Sequence, residues 1–232
     1  MTIPVTEWTN AQSIDDVLDR MEAIETSLPA SDGVATFNRM YNQVTKLVRD
    51  AVSQHQFEAG EFLERLDVNF ANLYFAAHQA DLMGTEVPRA WAPLFLARAR
   101  PHTVPIQFAF AGMNAHISHD LPFAVVTTCQ EMGVIPREDS PEHVDYTETN
   151  RVLAEASETI KGWFITGVMA RLDQATGPVD DAFEMFGIHA ARSAAWGSAE
   201  MLWRLSDNPR LDELFRSGLS RSVEMANRGI LL

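Results

Sequence analysis

Apolar residues recur along this chain with the three-to-four-residue period of helices, and glycine and proline fall mainly between the periodic stretches. Ala, Leu, Met, Glu and Arg fill the stretches themselves, and the close turn spacing of an all-β protein is missing. The pattern predicts an all-α fold, a single-domain multi-helix bundle over residues 1–232, with a two-lobed arrangement as the variant.

A first helix is expected from about Ser13, where Asp16 follows at the capping spacing, to about Ser27, ahead of Leu28 and Pro29. A second covers Val34 to about His55, with Phe37, Met40, Tyr41, Val44, Leu47 and Val48 as its apolar stripe. A third spans about Gly60 to Met83 and stops at Gly84, and Pro88 reads as the first-turn proline of a short helix carrying Trp91, Leu94 and Phe95. The least charged long stretch, about Pro105 to Met132, predicts a central apolar helix kinked near Pro122, because proline removes one hydrogen bond and crowds the carbonyl of Ser118. After a surface connection at Pro136 to His143 come helices over about Tyr146 to Ala175, Pro178 to Leu205 and Pro209 to Asn227.

Charge and composition narrow the function. Lys plus Arg total 18 against 32 for Asp plus Glu, a net charge of -14 with the basic residues scattered, so neither nucleic acid nor an anionic membrane surface is an expected partner. Cys129 is the single cysteine, which excludes an internal disulfide and suits an inert core thiol in a reducing compartment. The N-terminal residues lack a secretory pattern and no apolar run nears the roughly 20 residues of a membrane span, so a cytoplasmic location is expected.

The residues with the most chemistry lie in Gly112 to Asp120, GMNAHISHD. On a helix His116 shares a face with Asp120 or with His119, and an imidazole and a carboxylate one turn apart make either half of a divalent metal site or an acid–base pair. Two further polar rows sit amid apolar residues: Asp67, Tyr74, His78 and Asp81 fall on one narrow helical stripe, and His189, Arg192 and Trp196 on another. Rows of this kind suit a site built in the core of a bundle. His116, Asp120, Asn114 and Arg192 are thus the candidate catalytic residues, while His116, Asp120, Asp67, His78 and His119 are candidate metal ligands. Tyr74, Trp196 and His189 are candidates for touching substrate. Each row also has an ordinary structural reading: helix caps beside Pro122, an Asn114 that bridges backbones, a packed His189, and an Arg192 that only neutralises Asp120, Asp67 or Asp81. Trp8, Trp91, Trp163 and Trp203 are assigned to packing.

Glycine-rich nucleotide loops, Gly-x-Ser-x-Gly, His-Glu-x-x-His, Cys-x-x-Cys and the paired Glu-x-x-His of di-iron bundles are all missing, so no nucleotide cofactor is expected. A divalent metal ion remains a candidate cofactor, with zinc, iron and magnesium not distinguished by the spacing. The His116-x-x-x-Asp120 pair is similar to one element of zinc phospholipases and nucleases, whose other ligands are not matched.

The stretch Gly112 to Val125, GMNAHISHDLPFAV, resembles the Asn-Ala-His-Ile signature of a bacterial and fungal all-helical family of unknown function. The resemblance extends to Leu66, Asp67, Phe70 and Tyr74 and to Arg192, Ala195 and Trp196, and so covers about residues 35 to 205. In that family the signature continues Asn, Leu, Asp; here Ser118 and His119 depart and Asp120 agrees. The resemblance implies a shared fold and a shared site centred on Asn114, His116 and Asp120, without naming a reaction.

Together these features predict an enzyme acting on a small, largely apolar molecule in a helical-bundle cavity lined by Phe and Met. Its chemistry would be metal-assisted or run by proton transfer, of hydrolase, lyase or cyclase type, in specialised metabolism. The alternatives are a non-catalytic protein binding an apolar ligand and a helical interaction or scaffold domain; a homo-oligomer is compatible with all three.

Overall fold

The computed structural model describes the backbone of residues 9–166 and 187–232 and the side chains of residues 9–154 and 187–232, and among these residues every regular element is a helix. Helix α1 (Ile14–Ser27) starts where expected: the Ser13 hydroxyl accepts the N–H of Asp16, satisfying one of the amides a helix start leaves unpaired. Asp32 caps α2 (Gly33–Ser53) in the same way through the N–H of Val34. Helix α3 (Gly60–Met83) ends at Gly84, whose φ of 64° is the left-handed conformation that glycine adopts without steric cost. The short α4 (Ala92–Ala97) begins later than expected. The carbonyl of Pro88 accepts from the N–H groups of Trp91 and Ala92 in a preceding turn, and Pro93 takes the first-turn place where a missing N–H is not needed.

The expected central helix is three pieces: α5 (Pro105–Ala115), one turn of π-helix (His116–Asp120) and α6 (Leu121–Met132). Leu121 donates its N–H to the carbonyl of His116, five residues back, so the register widens just before Pro122. Pro122, which has no N–H to offer the carbonyl of Ser118, follows directly on this turn.

Helix α7 (Pro141–Thr166) starts earlier than Tyr146 because the Ser140 hydroxyl accepts the N–H of His143. Its expected end near Ala175 and the expected helix start at Pro178 lie outside the described residues. The stretch to Leu205 is not one helix from Pro178, however: α8 (Ile188–Leu205) begins afresh after Gly187, at φ 54°. Asn208 then caps the last helix, α9 (Pro209–Ile230).

Two apolar cores are packed by these elements. The first holds Met21, Phe37, Trp91 and Phe108 from α1, α2, the α4 entry and α5; the second holds Phe62, Val125, Tyr146 and Trp196 from α3, α6, α7 and α8. Phe70 and Ile117 pack against both, so the π turn carries the chain across the seam. Glycine makes the first core tight: a Cβ on Gly112 would lie 2.3 Å from the Phe37 ring, and one on Gly33 2.3 Å from the Phe108 ring. No described helix is long and apolar enough to cross a membrane.

Candidate functional site

The π turn sets the geometry of the site, because it presents two histidines to one carboxylate. Asp120, 3% exposed, holds His116 Nδ1 3.1 Å from Oδ2 and His119 Nδ1 2.8 Å from Oδ1. The indole N–H of Trp91 also donates to Oδ2, at 2.9 Å. Burial pushes the Asp120 carboxyl up, but hydrogen bonds from the two imidazoles outweigh it and hold the group below the ordinary carboxylate range. A carboxylate only accepts, so both Nδ1 atoms carry the proton.

For His116 the consequence is a defined tautomer. Burial lowers its pKa against the pull of Asp120, which leaves a neutral ring with its proton on Nδ1 and its lone pair on Nε2. That Nε2 is buried and meets no hydrogen-bond partner among the described residues. The ring stacks on Phe70 with centroids 3.5 Å apart and meets the edge of Tyr41 at 4.5 Å.

His116 and Phe70 stand in the wall of a cavity of about 110 Å³ at the seam between the cores. Its lining is mostly Phe, Met, Leu, Ile and Val, interrupted by Tyr41 of α2, Asp67 of α3, His116, Thr149 of α7 and Arg192 of α8. The Tyr41 hydroxyl and Asp67 Oδ2 are, like His116 Nε2, buried without a hydrogen-bond partner among the described residues. Burial first, and the charge of Glu64 second, push the Asp67 carboxyl up to about 7. The Tyr41 phenol is raised well above its ordinary range by burial and by Asp67.

Arg192, 9% exposed, is the cationic member of this wall. Its Nε donates to Asn150 Oδ1 at 2.9 Å, and its Nη2 donates to the Tyr146 carbonyl at 2.7 Å and to Thr149 Oγ1 at 2.5 Å. The guanidinium lies 4.1 Å from the centre of the Tyr146 ring. The ion pair that sequence reasoning offered it, with Asp120, Asp67 or Asp81, is not made.

The other expected residues separate. Asp67, Tyr74, His78 and Asp81 do share a stripe of α3, but alignment is not convergence, since eleven residues of helix span about 16 Å. Tyr74 donates to Asn38 Oδ1 at 3.3 Å, and Asp81 accepts from Arg98 at 2.6 Å. His78, its pKa lowered to about 4 by burial and then by Arg98, packs near Phe95 away from the cavity. On α8, His189 is exposed, and Trp196 fills the second core against Phe62 and Tyr146. Asn114 is turned towards α9: its amide donates to Asn227 Oδ1 at 2.8 Å while its oxygen accepts from Ser118. Asn227 in turn donates to the carbonyls of Ala90 and Ala111, which ties α9 to the Trp91 turn and α5.

Trp91, Tyr41, Phe70 and Ser220 belong to the site without having been singled out for it. The packing role expected of Trp91 leaves out its N–H, for which a buried indole usually finds an acceptor. Ser220 Oγ lies 2.9 Å from His119 Nε2, completing a Ser–His–Asp chain of hydrogen bonds. Ser220 sits inside α9, whose own backbone amides are spent in helical bonding, and its hydroxyl holds the ring of His119.

Among the described residues no three His, Cys, Asp or Glu side chains are grouped to hold a metal ion. The expected set is divided for a visible reason: His116 Nδ1 and both Asp120 oxygens are already committed to one another and to Trp91 and His119, while His78 lies elsewhere on α3.

A family model matches residues 14–232, far beyond the signature around His116, and its description is a family of unknown function, DUF5995. The chain belongs to that family. This DUF5995 protein is all-helical among its described residues, and the site above lies within the matched region. No curated protein and no solved structure matches it.

Proposed function

We propose that this DUF5995 protein is an enzyme that moves a proton on a small, largely apolar molecule held in the seam cavity, in lyase- or cyclase-type chemistry. The observation that carries the reading is a set of three buried polar atoms with no hydrogen-bond partner among the described residues, Tyr41 Oη, Asp67 Oδ2 and His116 Nε2, on side chains that line an otherwise apolar cavity. A buried polar atom without a partner costs about 1–3 kcal/mol, a cost that a ligand can offset; the other such atoms among the described residues, on Thr45, His78, Trp196 and Asp212, are scattered outside the cavity, whereas these three share it.

The two titratable groups divide the labour. His116, kept neutral by burial and oriented by Asp120, is the base; Asp67, near 7, is the acid that returns the proton. Asp120 is a positioning residue, with Trp91 and His119 holding its two oxygens. Proton transfer is favoured by the Nε2 of His116, without a partner among the described residues, and by the raised carboxyl of Asp67, both on the cavity wall.

A non-catalytic binding protein is the second reading. Phe70 lies flat on one face of His116, which favours a wall that orients a ligand over one that reacts with it.

Deuterium exchange separates the two. Small carbonyl compounds that fit the cavity are incubated with the protein in D2O, and incorporation next to the carbonyl is followed by NMR. Exchange that falls at least tenfold in His116→Ala and in Asp67→Asn supports the enzyme; binding of the same compounds with exchange unaffected by either substitution leaves the binding protein.

A further inference from the structure

We infer that the molecule held in the seam cavity is a compact monocarboxylic acid with an apolar body, its carboxylate bound by Arg192. The inference rests on the cavity being a ligand site, as in the preceding reading, but not on its being catalytic.

Arg192 is a buried cation in a chain with 32 acidic residues and 18 basic ones, yet no carboxylate among the described residues pairs with it. Its hydrogen bonds to described residues all go to neutral acceptors: the Asn150 amide, the Tyr146 carbonyl and the Thr149 hydroxyl. Arg98, by contrast, is half-buried between Asp32 and Asp81, and the partly exposed Arg39, Arg49 and Arg216 each have an acid. The neutral contacts fix the guanidinium plane without neutralising it. Nη1 makes no hydrogen bond to a described residue, so two N–H groups remain for a ligand. Burial already lowers the pKa of Arg192, and an uncompensated buried charge is among the costliest features a fold can keep. An anion arriving in the cavity supplies the missing counter-charge.

The chemistry of that anion follows from the wall. A planar carboxylate matches the guanidinium edge. A phosphate dianion brings a second charge into a lining whose one cation is Arg192, and the Thr149 hydroxyl is already spent on the Tyr146 carbonyl at 2.7 Å. The rest of the lining is hydrocarbon and aromatic, which suits an apolar body. Size sets the last limit: about 110 Å³ is somewhat less than the roughly 150 Å³ cavity that accepts a benzene ring in an engineered protein, so the body is a single ring or a short branched chain.

The test uses calorimetry on the full chain with benzoate, benzamide and phenyl phosphate, together with 3-methylbutanoate and its amide. Expected is binding of an acid at least tenfold tighter than its amide, phenyl phosphate weaker than benzoate, and loss of the acid preference in Arg192→Met. Arg192→Lys, which keeps the charge without the planar fork, should keep part of it. Acid and amide binding equally, or an acid preference that survives in a folded Arg192→Met, overturns the carboxylate assignment while leaving the cavity a ligand site. Binding of none of the probes overturns both readings. Should Arg192→Met fail to fold, the acid-to-amide ratio in the wild-type chain and in Arg192→Lys decides.

Discussion

Phe70 lies on the imidazole of His116 with the two rings 5° from parallel and their centroids 3.5 Å apart. The contact joins the middle of α3 to the π turn where the two cores meet, and it covers one face of an imidazole that burial keeps neutral. Phe70→Ala opens that face. The His116 pKa is expected to rise towards the ordinary histidine value of 6.5, as read from the imidazole nitrogen shifts in a pH titration by NMR. Unfolding in urea should show a loss of about 2–4 kcal/mol for the missing ring.

Trp91 is expected to matter through one atom. Trp91→Phe keeps most of the ring volume and removes the donor to Asp120 Oδ2, so a buried carboxylate loses one of its three partners. The cost should be about 1–3 kcal/mol in urea unfolding, and Trp91→Phe in an Asp120→Asn background should cost measurably less.

Asp67 makes stability depend on pH in an unusual direction. The folded protein keeps its proton up to about pH 7, whereas the unfolded chain releases it near the ordinary 3.8. Between those values the folded state binds more protons, so raising the pH destabilises it, and above about 7 the contribution is gone. Other groups, His116 among them, add their own slopes, and Asp67→Asn isolates this one. The stability of Asp67→Asn relative to wild type should rise by roughly 2–4 kcal/mol between pH 4 and pH 7.5. A flat difference across that range would show that Asp67 ionises normally.

Gly112 tests the packing of the first core. The Cβ of Gly112→Ala would meet the Phe37 ring at 2.3 Å, and Phe37 is held in turn by the rings of Tyr41, Tyr74 and Trp91. Overpacking should cost about 1–3 kcal/mol despite the better helix propensity of alanine, with a lower thermal midpoint in calorimetry as the readout. Gly218→Ala, which has open space around the added carbon, serves as the control and should be neutral or slightly stabilising.

Local signals along the chain were enough for the helices and for the pair His116 and Asp120. The Ser13 cap, the Gly84 stop and the apolar stripe of α2 act between residues a few positions apart, and such interactions are present in the order of residues before any tertiary contact forms. The same holds for the spacing that lets one carboxylate hold the imidazole four residues earlier. Pro122 could be read as a disturbance of the helix; that the disturbance would take the form of a π turn presenting both His116 and His119 to Asp120 depended on how α5 and α6 enter different cores. Trp91, Phe70 and Tyr41 look like packing residues in sequence, because a helical period distinguishes inside from outside but carries no record of which inward residues from different helices will touch. For the same reason the α3 row seemed a single feature. Folding placed Asp67 beside the cavity and His78 and Asp81 a long way down the helix, since an axial rise separates residues that an angular projection superimposes.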